Sequence, residues 1–436
     1  MNPLKLSWKN LIDKPLSMTL SLVLFALGVG LISLLLLLNK QLQEQFDKNL
    51  AGINLVVGAK GSPLQLILSS MYHIDSPTGN IPIKSAKALM NPKHPLIEKA
   101  IPLSMGDSHK GYRIVGTTHD LPDLYGGKLG SGNLWNEDME VTIGATVADK
   151  LSLGLGDEFY SSHGFVIDDN LEHRDAAPLK VTGIFEPTGS VLDQLILTNT
   201  QSIWKVHDSH DHEEGENHDH SDHEGHDDGD HVGHDHDKET TDSYLSGTTR
   251  LIAAEDQSVT SLLIKFKNNN YRTLNMQRNI NENTDMQAAT PAFEINRLYS
   301  MLGTGTDALQ MLAYVIVFVS GLSIFISLFS SLRERKYELA LMRVMGASPA
   351  KLFVLIILEG LILAVLGYLI GIALSHISME ILANYMSDAY RYSFSGLLFL
   401  KQELYLLFGA LGIGLIAAII PAFQAKNTDI SRTLGK

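Results

Sequence analysis

The chain has 436 residues, of which 45% are hydrophobic, and it contains no cysteine. This length suffices for a membrane part together with a sizeable globular part, and the lack of cysteine excludes disulfides and thiolate metal sites. The net charge of −14 is local, because residues 207–239 contain 14 acidic residues and one basic residue. The remainder, with 34 acidic and 33 basic residues, is nearly balanced, and no nucleic acid partner is expected.

The N-terminal residues 1–14 predict an amphipathic segment on the inner membrane surface, because apolar residues such as Leu4 and Trp8 alternate with lysines. Residues 15–38 form an uncharged run, and ~20 residues suffice for a helix to cross the ~30 Å hydrocarbon core. A cleaved signal peptide is the alternative. The run is long for a signal core, however, and no small-x-small cleavage site follows it. We expect a retained anchor with a cytoplasmic N-terminus.

Residues 39–307 predict an α+β domain inserted between the first and second membrane helices. Short β-branched runs that stop at turn residues predict strands within residues 53–61, 112–116, 141–144, 155–159, 179–185, 194–198 and 258–266. Residues 145–151 predict a short helix, and residues 294–309 predict a helix that leads back to the membrane. The glycine-rich residues 126–132 lack the Gly-Lys-Ser/Thr ending of a phosphate loop, so we expect a surface turn there.

Three further apolar runs, at residues 308–332, 352–375 and 404–425, predict the other membrane helices. The connector 333–351 carries five basic residues against Glu334 and Glu338, and such short basic loops stay in the cytoplasm.

The alternation of four helices then defines the topology. It places residues 39–307 and the short loop 376–403 outside, and the tail 426–436 inside.

Three groups of residues in the C-terminal part carry a family resemblance. The connector reads Arg-Lys-Tyr-Glu-Leu-Ala-Leu-Met-Arg-Val-Met-Gly-Ala-Ser over residues 335–348, Glu359-Gly360 is followed by Gly367 and Gly371, and residues 421–425 begin with proline. The sequence here resembles the MacB/FtsX-like permeases, the four-helix membrane subunits of mechanotransmitting (type VII) ABC systems. These include lipoprotein-releasing and macrolide-export permeases. A weaker resemblance to the MacB-like periplasmic core covers residues 141–159 and 181–185.

The resemblance implies a fold of four transmembrane helices plus a large α+β extracytoplasmic domain. It implies a non-catalytic subunit in the inner membrane of a Gram-negative bacterium, and this subunit pairs with a second permease copy or a paralogue. Two separate ATP-binding subunits would bind ATP. The cytoplasmic connector would form a coupling helix that contacts them through Arg335, Glu338, Leu339, Met342, Arg343 and Gly346.

The residues of the connector fit such a role. Leu339 and Met342, with Val344 and Met345, supply apolar side chains, and Gly346 followed by Pro349 predicts the end of a helix. The alternative is a solvated basic loop that only fixes topology.

A charged residue, Glu359, interrupts the third membrane run, where an ionised side chain is costly unless it is paired. Pairing with an arginine of the connector or snorkelling is expected, and an ion relay is the alternative. The glycines of this helix predict close helix packing.

Residues 207–239 predict a disordered insert, since they contain too few apolar residues to form a core. Imidazole and carboxylate groups suit Zn²⁺, Ni²⁺, Cu²⁺ or Co²⁺. The candidate ligands are His207, His210, His212, His218, His220, His223, His226, His231, His234 and His236. Metal sensing or capture, passive metal buffering, a solubilising loop and a pH switch are the alternatives, and metal is favoured.

The sequence therefore predicts an ABC permease that relays ATP hydrolysis to an external domain, with a task linked to divalent metal. Its external partner would be a metal-binding protein, a lipoprotein or an adaptor, and lipid surrounds its helices. Lipoprotein release or amphiphile efflux, and FtsX-like activation of an external hydrolase, are the alternative functions.

Overall fold

The computed structural model describes residues 3–12, 15–163, 177–211, 251–268, 270–389 and 394–427. The chain divides into two compact units. The membrane unit comprises Met1–Glu44 and Tyr299–Lys436, and the globular unit comprises Gln45–Leu298. The globular unit is therefore inserted between the first and second long helices, as predicted.

The elements are numbered in chain order. The helices are α1 (Pro3–Ile12), α2 (Pro15–Leu50), α3 (Pro63–Met71), α4 (Ile83–Met90), α5 (Asp120–Leu124), α6 (Ala145–Leu151), α7 (Thr200–Asp211), α8 (Tyr271–Leu274), α9 (Met276–Asn283), α10 (Pro291–Glu334), α11 (Lys336–Val344), α12 (Pro349–Ala389) and α13 (Lys401–Lys426). The strands are β1 (Leu55–Ala59), β2 (Ile81–Pro82), β3 (Ile97–His109), β4 (Tyr112–Gly116), β5 (Leu129–Gly132), β6 (Glu140–Ile143), β7 (Glu158–Phe159), β8 (Ser162–His163), β9 (Leu179–Phe185), β10 (Ile196–Thr198), β11 (Ser258–Val259), β12 (Ser261–Phe266) and β13 (Met286–Ala289).

Within the described residues, four helices are long and apolar enough to cross a membrane, namely α2, α10, α12 and α13. The prediction of four membrane helices is confirmed. The helices continue beyond the apolar runs, because α2 reaches Leu50 and α12 reaches Ala389. Much of the segment 376–403, expected as a loop, is therefore helical. Neither extension contains glycine or proline, so nothing in its sequence stops the helix.

Close helix packing in the membrane unit depends on glycine, as predicted. A Cβ atom on Gly360 of α12 would lie 2.7 Å from the Ala418 Cβ of α13. A Cβ atom on Gly371 would lie 2.7 Å from the Ala26 carbonyl oxygen of α2. Only hydrogen fits at these two contacts, so small residues let the backbones of α2, α12 and α13 approach.

The globular unit contains a mixed sheet whose strands follow the order β13-β1-β12-β3-β4-β10-β6-β9-β5. The pairs β10–β4 and β6–β9 are parallel, and the other neighbours on this path are antiparallel. The short strands β7 and β8 pair with β9 and β3, and β11 pairs with β2. Strands mixed with helices confirm the predicted α+β class.

The long strand β3 joins two hydrophobic cores of this unit. Its first half pairs with β12, where Leu262 and Ile264 belong to one buried cluster. Its second half pairs with β4, where Ile114 belongs to another cluster together with Val181. The one strand therefore connects both halves of the sheet.

Two expectations for this unit need correction. The insert was expected to begin at residue 207 as a disordered loop after the strand that ends at Thr198, but α7 continues to Asp211. Asn199 caps α7 by accepting the Ser202 backbone N–H at 2.8 Å, and Ile203 and Val206 bury one face of the helix. The second correction concerns residues 126–132, which contain the exposed edge strand β5 as well as a turn.

Candidate functional site

The connector between the second and third membrane helices forms a separate helix, α11, with defined ends. The Gly346 N–H donates to the Arg343 carbonyl at 3.1 Å, and the Ala347 N–H donates to the Met342 carbonyl at 2.9 Å. This pair of bonds is a Schellman motif, and it requires the positive φ of +95° at Gly346. Ser348 then precedes Pro349, the first residue of α12. The prediction that Gly346 ends the helix is confirmed.

One face of α11 is anchored in the membrane unit. Leu339 and Ala340 are buried, and Leu339 belongs to a cluster that includes Leu332 of α10 and Leu352 of α12. Met342 packs against the same cluster. The orientation of α11 is therefore set by the ends of its neighbouring helices.

A polar network connects α1, the start of α11 and α12. The Glu359 Oε1 atom accepts a hydrogen bond from the Asn10 side-chain amide at 2.8 Å. The same oxygen lies 3.7 Å from the Arg335 Nη1 atom, and the Arg335 Nη2 atom donates to the Asn10 carbonyl. Glu359 is only 2% exposed, so these contacts satisfy a carboxylate that burial would otherwise penalise. The expected pairing of Glu359 with an arginine of the connector is present.

This network gives α1 a fixed position on α12. The Ser7 hydroxyl also donates to the Leu355 carbonyl at 3.2 Å, and Leu11 is buried in the core of the membrane unit. The opposite face leaves Leu4, Trp8 and Ile12 exposed at four-residue spacing, beside the exposed Lys5 and Lys9. The sequence indicated an amphipathic segment, but not the role of Asn10. A polar residue on the face that also carries Leu6 and Leu11 was the available signal.

The second face of α11 is exposed and largely apolar. Its exposed fractions are 60% for Tyr337, 44% for Leu341, 58% for Val344 and 68% for Met345. These four positions follow helical spacing and form a continuous stripe, which we call the α11 stripe. Next to its end lies a groove of about 450 Å³ lined by Leu6, Met342, Met345, Ala347, Lys351 and Leu355.

The structure distributes the six predicted coupling residues over both faces. Arg335 and Leu339 contact the chain's own helices, and Met342 lies between core and groove. Glu338 is exposed and Arg343 is half-buried. The exposed apolar positions Tyr337 and Leu341 were not among the predicted coupling residues. Because apolar residues lie on both sides of α11, the sequence pattern alone could not separate the buried face from the exposed one.

The predicted metal ligands lie almost wholly outside the described residues. His207 and His210 belong to the last turns of α7, and the other eight histidines, His212 to His236, fall beyond the part the structure describes. Within the described ranges, no group of three or more His, Asp or Glu side chains is placed to hold a metal ion. The metal site stays a prediction.

Two sequence families match the chain. Residues 311–430 match the family "FtsX-like permease C-terminal", and residues 18–219 match "MacB-like periplasmic core domain". The chain belongs to the MacB/FtsX-like permease family. Its membership makes it a multi-pass membrane protein with an ABC-type permease role. Members of this family are generally non-catalytic and work with ABC ATPases.

One solved structure similar to this permease is the periplasmic region of MacB from Actinobacillus actinomycetemcomitans. The two share 12% identity over 57% of this chain and 94% of that chain, with a TM-score of 0.31. The family membership of this chain is shown by the two sequence-family matches. No individual curated protein is similar enough in sequence to match.

Proposed function

We propose that this permease is the membrane subunit of an ABC complex and relays ATP hydrolysis by a separate ATPase to its globular unit. The α11 stripe supports this proposal most directly. Its apolar side chains are exposed beside Glu338 and Lys336, and a contiguous exposed apolar surface with a polar rim is typical of a protein interface. The buried face of the same helix is fixed by Leu339, so a force applied to the stripe reaches the membrane helices.

The charge distribution supports the orientation that this role requires. The basic connector, the lysines of α1 and the basic residues of the tail favour the cytoplasmic side. Helices α2 and α12 then place the globular unit and the segment between α12 and α13 outside, in the periplasm of a bacterial inner membrane. The chain passes from one unit to the other within α2 and α10, so these two helices are the covalent route for the relay.

The proposed assembly contains two ATP-binding subunits and two permeases, the second being another copy or a paralogue. The test is purification of the full permease together with its ATPase, followed by measurement of the amount bound and the ATP hydrolysis rate. We expect Leu341→Glu to reduce both, because it places a carboxylate in the apolar stripe. Leu341→Met is the matched control and retains both. Wild-type binding and hydrolysis by a folded Leu341→Glu variant contradict the proposal.

We further propose that the task of this complex is linked to a divalent metal, most directly zinc. The ten histidines among 14 acidic residues in 207–239 support this proposal, since imidazole and carboxylate ligands suit Zn²⁺, Ni²⁺, Cu²⁺ and Co²⁺. The external partner would then be a metal-binding protein.

The metal proposal is tested by growth over a zinc series, from chelator-limited to toxic, with residues 207–239 deleted in the chromosome. A defect confined to low zinc indicates acquisition, and one confined to high zinc indicates efflux. A second strain in which the ten histidines are replaced by asparagine keeps the length of the insert and separates metal binding from spacing. Unchanged growth of both strains, with the permease present, refutes the metal link.

An apolar groove favours amphiphile or lipoprotein handling as the second candidate function. It lies between α10 and α13, has a volume of about 530 Å³ and is lined by Val317, Phe318, Leu322, Ile413, Ile416 and Ile420. A groove of this kind between membrane helices accommodates an acyl chain. Sensitivity to amphiphiles, with normal growth over the zinc series, supports this candidate over the metal-linked one.

A further inference from the structure

At the end of the membrane unit remote from α11, residues 394–400 lead into α13 without regular secondary structure. We call this segment the strap. Its backbone is held by side chains of three helices. The Ser395 N–H donates to Gln41 Oε1 of α2 at 2.8 Å, the Gly396 N–H donates to Glu380 Oε2 of α12 at 2.8 Å, and the Leu400 N–H donates to Glu403 Oε2 of α13 at 3.1 Å. The position of the strap therefore depends on whether the side chains of Gln41, Glu380 and Glu403 accept these hydrogen bonds.

The centre of this arrangement is a buried pair, His376 of α12 and Glu403 of α13. The His376 Nε2 atom lies 3.1 Å from Glu403 Oε1, and the side chains are 12% and 5% exposed. The His376 Nδ1 atom contacts the Gly396 carbonyl of the strap, and the ring packs against Phe399 with centroids 4.5 Å apart. Ser33 of α2 donates to the same Glu403 oxygen at 3.0 Å.

The donor and acceptor roles of the neighbouring atoms determine how many protons this pair needs. The Gly396 carbonyl can only accept, so the His376 Nδ1 atom must carry a hydrogen. The contact between Nε2 and Oε1 then needs one more proton, either on the imidazole or on the carboxyl group. Without it, a bare ring nitrogen and a carboxylate oxygen face each other as two acceptors at 3.1 Å.

We propose that His376 and Glu403 form a binding site for one proton, and that this bound proton holds the strap against α2, α12 and α13. When the proton leaves, the facing acceptors repel, the His376 contact to Gly396 weakens and the strap detaches. Ionisable residues within membrane helices that pair with each other commonly mark proton sites. Histidine is the side chain that titrates nearest neutral pH.

The other titratable groups described around the pair are few. The Glu380 carboxylate lies one turn along α12 and accepts the Gly396 N–H, and the Tyr368 hydroxyl donates to the Glu403 carbonyl at 3.1 Å. Lys401 of α13 is exposed, and the half-buried Lys40 and Glu44 of α2 pair with each other at 3.2 Å. Among these described groups, only His376 and Glu403 share a contact in which neither atom has a hydrogen to donate unless an extra proton is bound.

A simpler role for Glu403 is to cap α13, since its Oε2 atom accepts the N–H of Leu400 at the helix start. Capping alone explains neither the imidazole at Oε1 nor the serine hydroxyl that donates to the same oxygen. The two explanations differ in one measurable respect. A cap formed by an ionised Glu403 gives no change in strap protection near neutral pH, whereas the proton site does.

The test is amide hydrogen exchange of residues 394–400 in the full chain, reconstituted in lipid nanodiscs without any ATPase, from about pH 5 to about pH 9. Protection factors are calculated against the intrinsic exchange rate at each pH. We expect protection at acidic pH and a loss of about tenfold to a hundredfold at alkaline pH, the range given by leaving a buried polar contact unmade.

Two variants separate the proton from the cap. His376→Gln keeps an N–H donor towards Glu403 but does not titrate, so protection becomes independent of pH. Glu403→Gln also removes the dependence, because its amide donates permanently. Glu44→Gln is the matched control, because this carboxylate of α2 pairs with Lys40 and not with the strap, and it keeps the wild-type pH profile.

A flat wild-type profile overturns the proposal, and so does an unchanged slope in the folded His376→Gln and Glu403→Gln variants. Because no ATPase is present, the outcome is independent of the proposed relay function. A negative result here leaves the ATPase-binding experiment to decide that function separately.

Discussion

Replacement of Asn10 by alanine is the sharpest test of how α1 is fixed. The change removes the side-chain hydrogen bond to the buried Glu359 Oε1 atom, and it leaves the backbone carbonyl that accepts from Arg335 in place. Loss of a hydrogen bond to a buried charged group costs about 1.5–3 kcal/mol. We therefore expect α1 to detach from α12 about 10 to about 150 times more often.

The absence of native cysteine makes this opening measurable. The Ser7 side chain is fully buried against Leu355, so a single Ser7→Cys substitution places a thiol that a maleimide reaches only when α1 opens. In this background, Asn10→Ala raises the labelling rate by the stated factor. Lys9→Ala, at an exposed neighbouring position of the same helix, is the matched control and leaves the rate unchanged.

A second substitution, Arg335→Ala, tests the same network through the size of its effect on the labelling rate. Arg335→Ala leaves the Glu359 carboxylate without its cation, and breaking a buried pair costs about 3–5 kcal/mol, so its effect exceeds that of Asn10→Ala. Equal labelling rates in wild type, Asn10→Ala and Lys9→Ala would refute the view that the network holds α1.

Three further predictions concern stability. Gly346→Ala destabilises the end of α11 by about 1–2 kcal/mol, since the residue has a φ of +95° although its Cβ would meet no atom within 4 Å, and thermal unfolding measures the loss. Gly360→Ala lowers the free energy of unfolding by about 1–3 kcal/mol, because its Cβ would lie 2.7 Å from that of Ala418. Gly412→Ala is the control and is neutral or stabilising, because the space around Gly412 is open. Equal unfolding temperatures for the two variants would contradict this packing argument. In the globular unit, burial and the Arg113 cation lower the pKa of His73 from 6.5 to about 3, so the unfolded state binds this proton first and stability is lost as the pH falls from 6.5 towards 3. His73→Gln removes that part of the pH dependence of unfolding, and an identical acid profile in this variant counts against the assignment.

The local elements of the globular unit could be read from sequence with good accuracy. The strand 112–116, the helix 145–151 and the strand 179–185 have the predicted bounds, because each begins or ends where glycine or a change of hydrophobic period stops it. The strand predicted at 155–159 is reduced to Glu158–Phe159. Gly156 has a φ of +87° and forms a turn before it.

The candidate site could be predicted only in part. The ends of α11 follow from Gly346 and Pro349, which act through local backbone geometry. The division of α11 into a buried and an exposed face depends on residues of α10 and α12 that lie far along the chain. The same holds for Asn10 and Glu359, which are separated by 349 positions and meet only after the helices pack.

The same physical argument applies to two buried carboxylates, Glu359 of α12 and Glu403 in the first turn of α13. A buried ion pair is weak support for stability, since apolar side chains of similar volume are often as stabilising or more so. Glu359 and Glu403 instead provide specificity, because each carboxylate binds a defined set of hydrogen-bond donors. Among the described residues, Glu359 accepts from Asn10 and pairs with Arg335. Glu403 contacts the His376 ring and accepts from the Ser33 hydroxyl and the Leu400 backbone N–H. Next to Glu359, Gly360 and Gly414 bring α12 and α13 into backbone contact. The two carboxylates therefore determine which neighbouring segment is attached to these helices, namely α1 through Glu359 and the strap through Glu403.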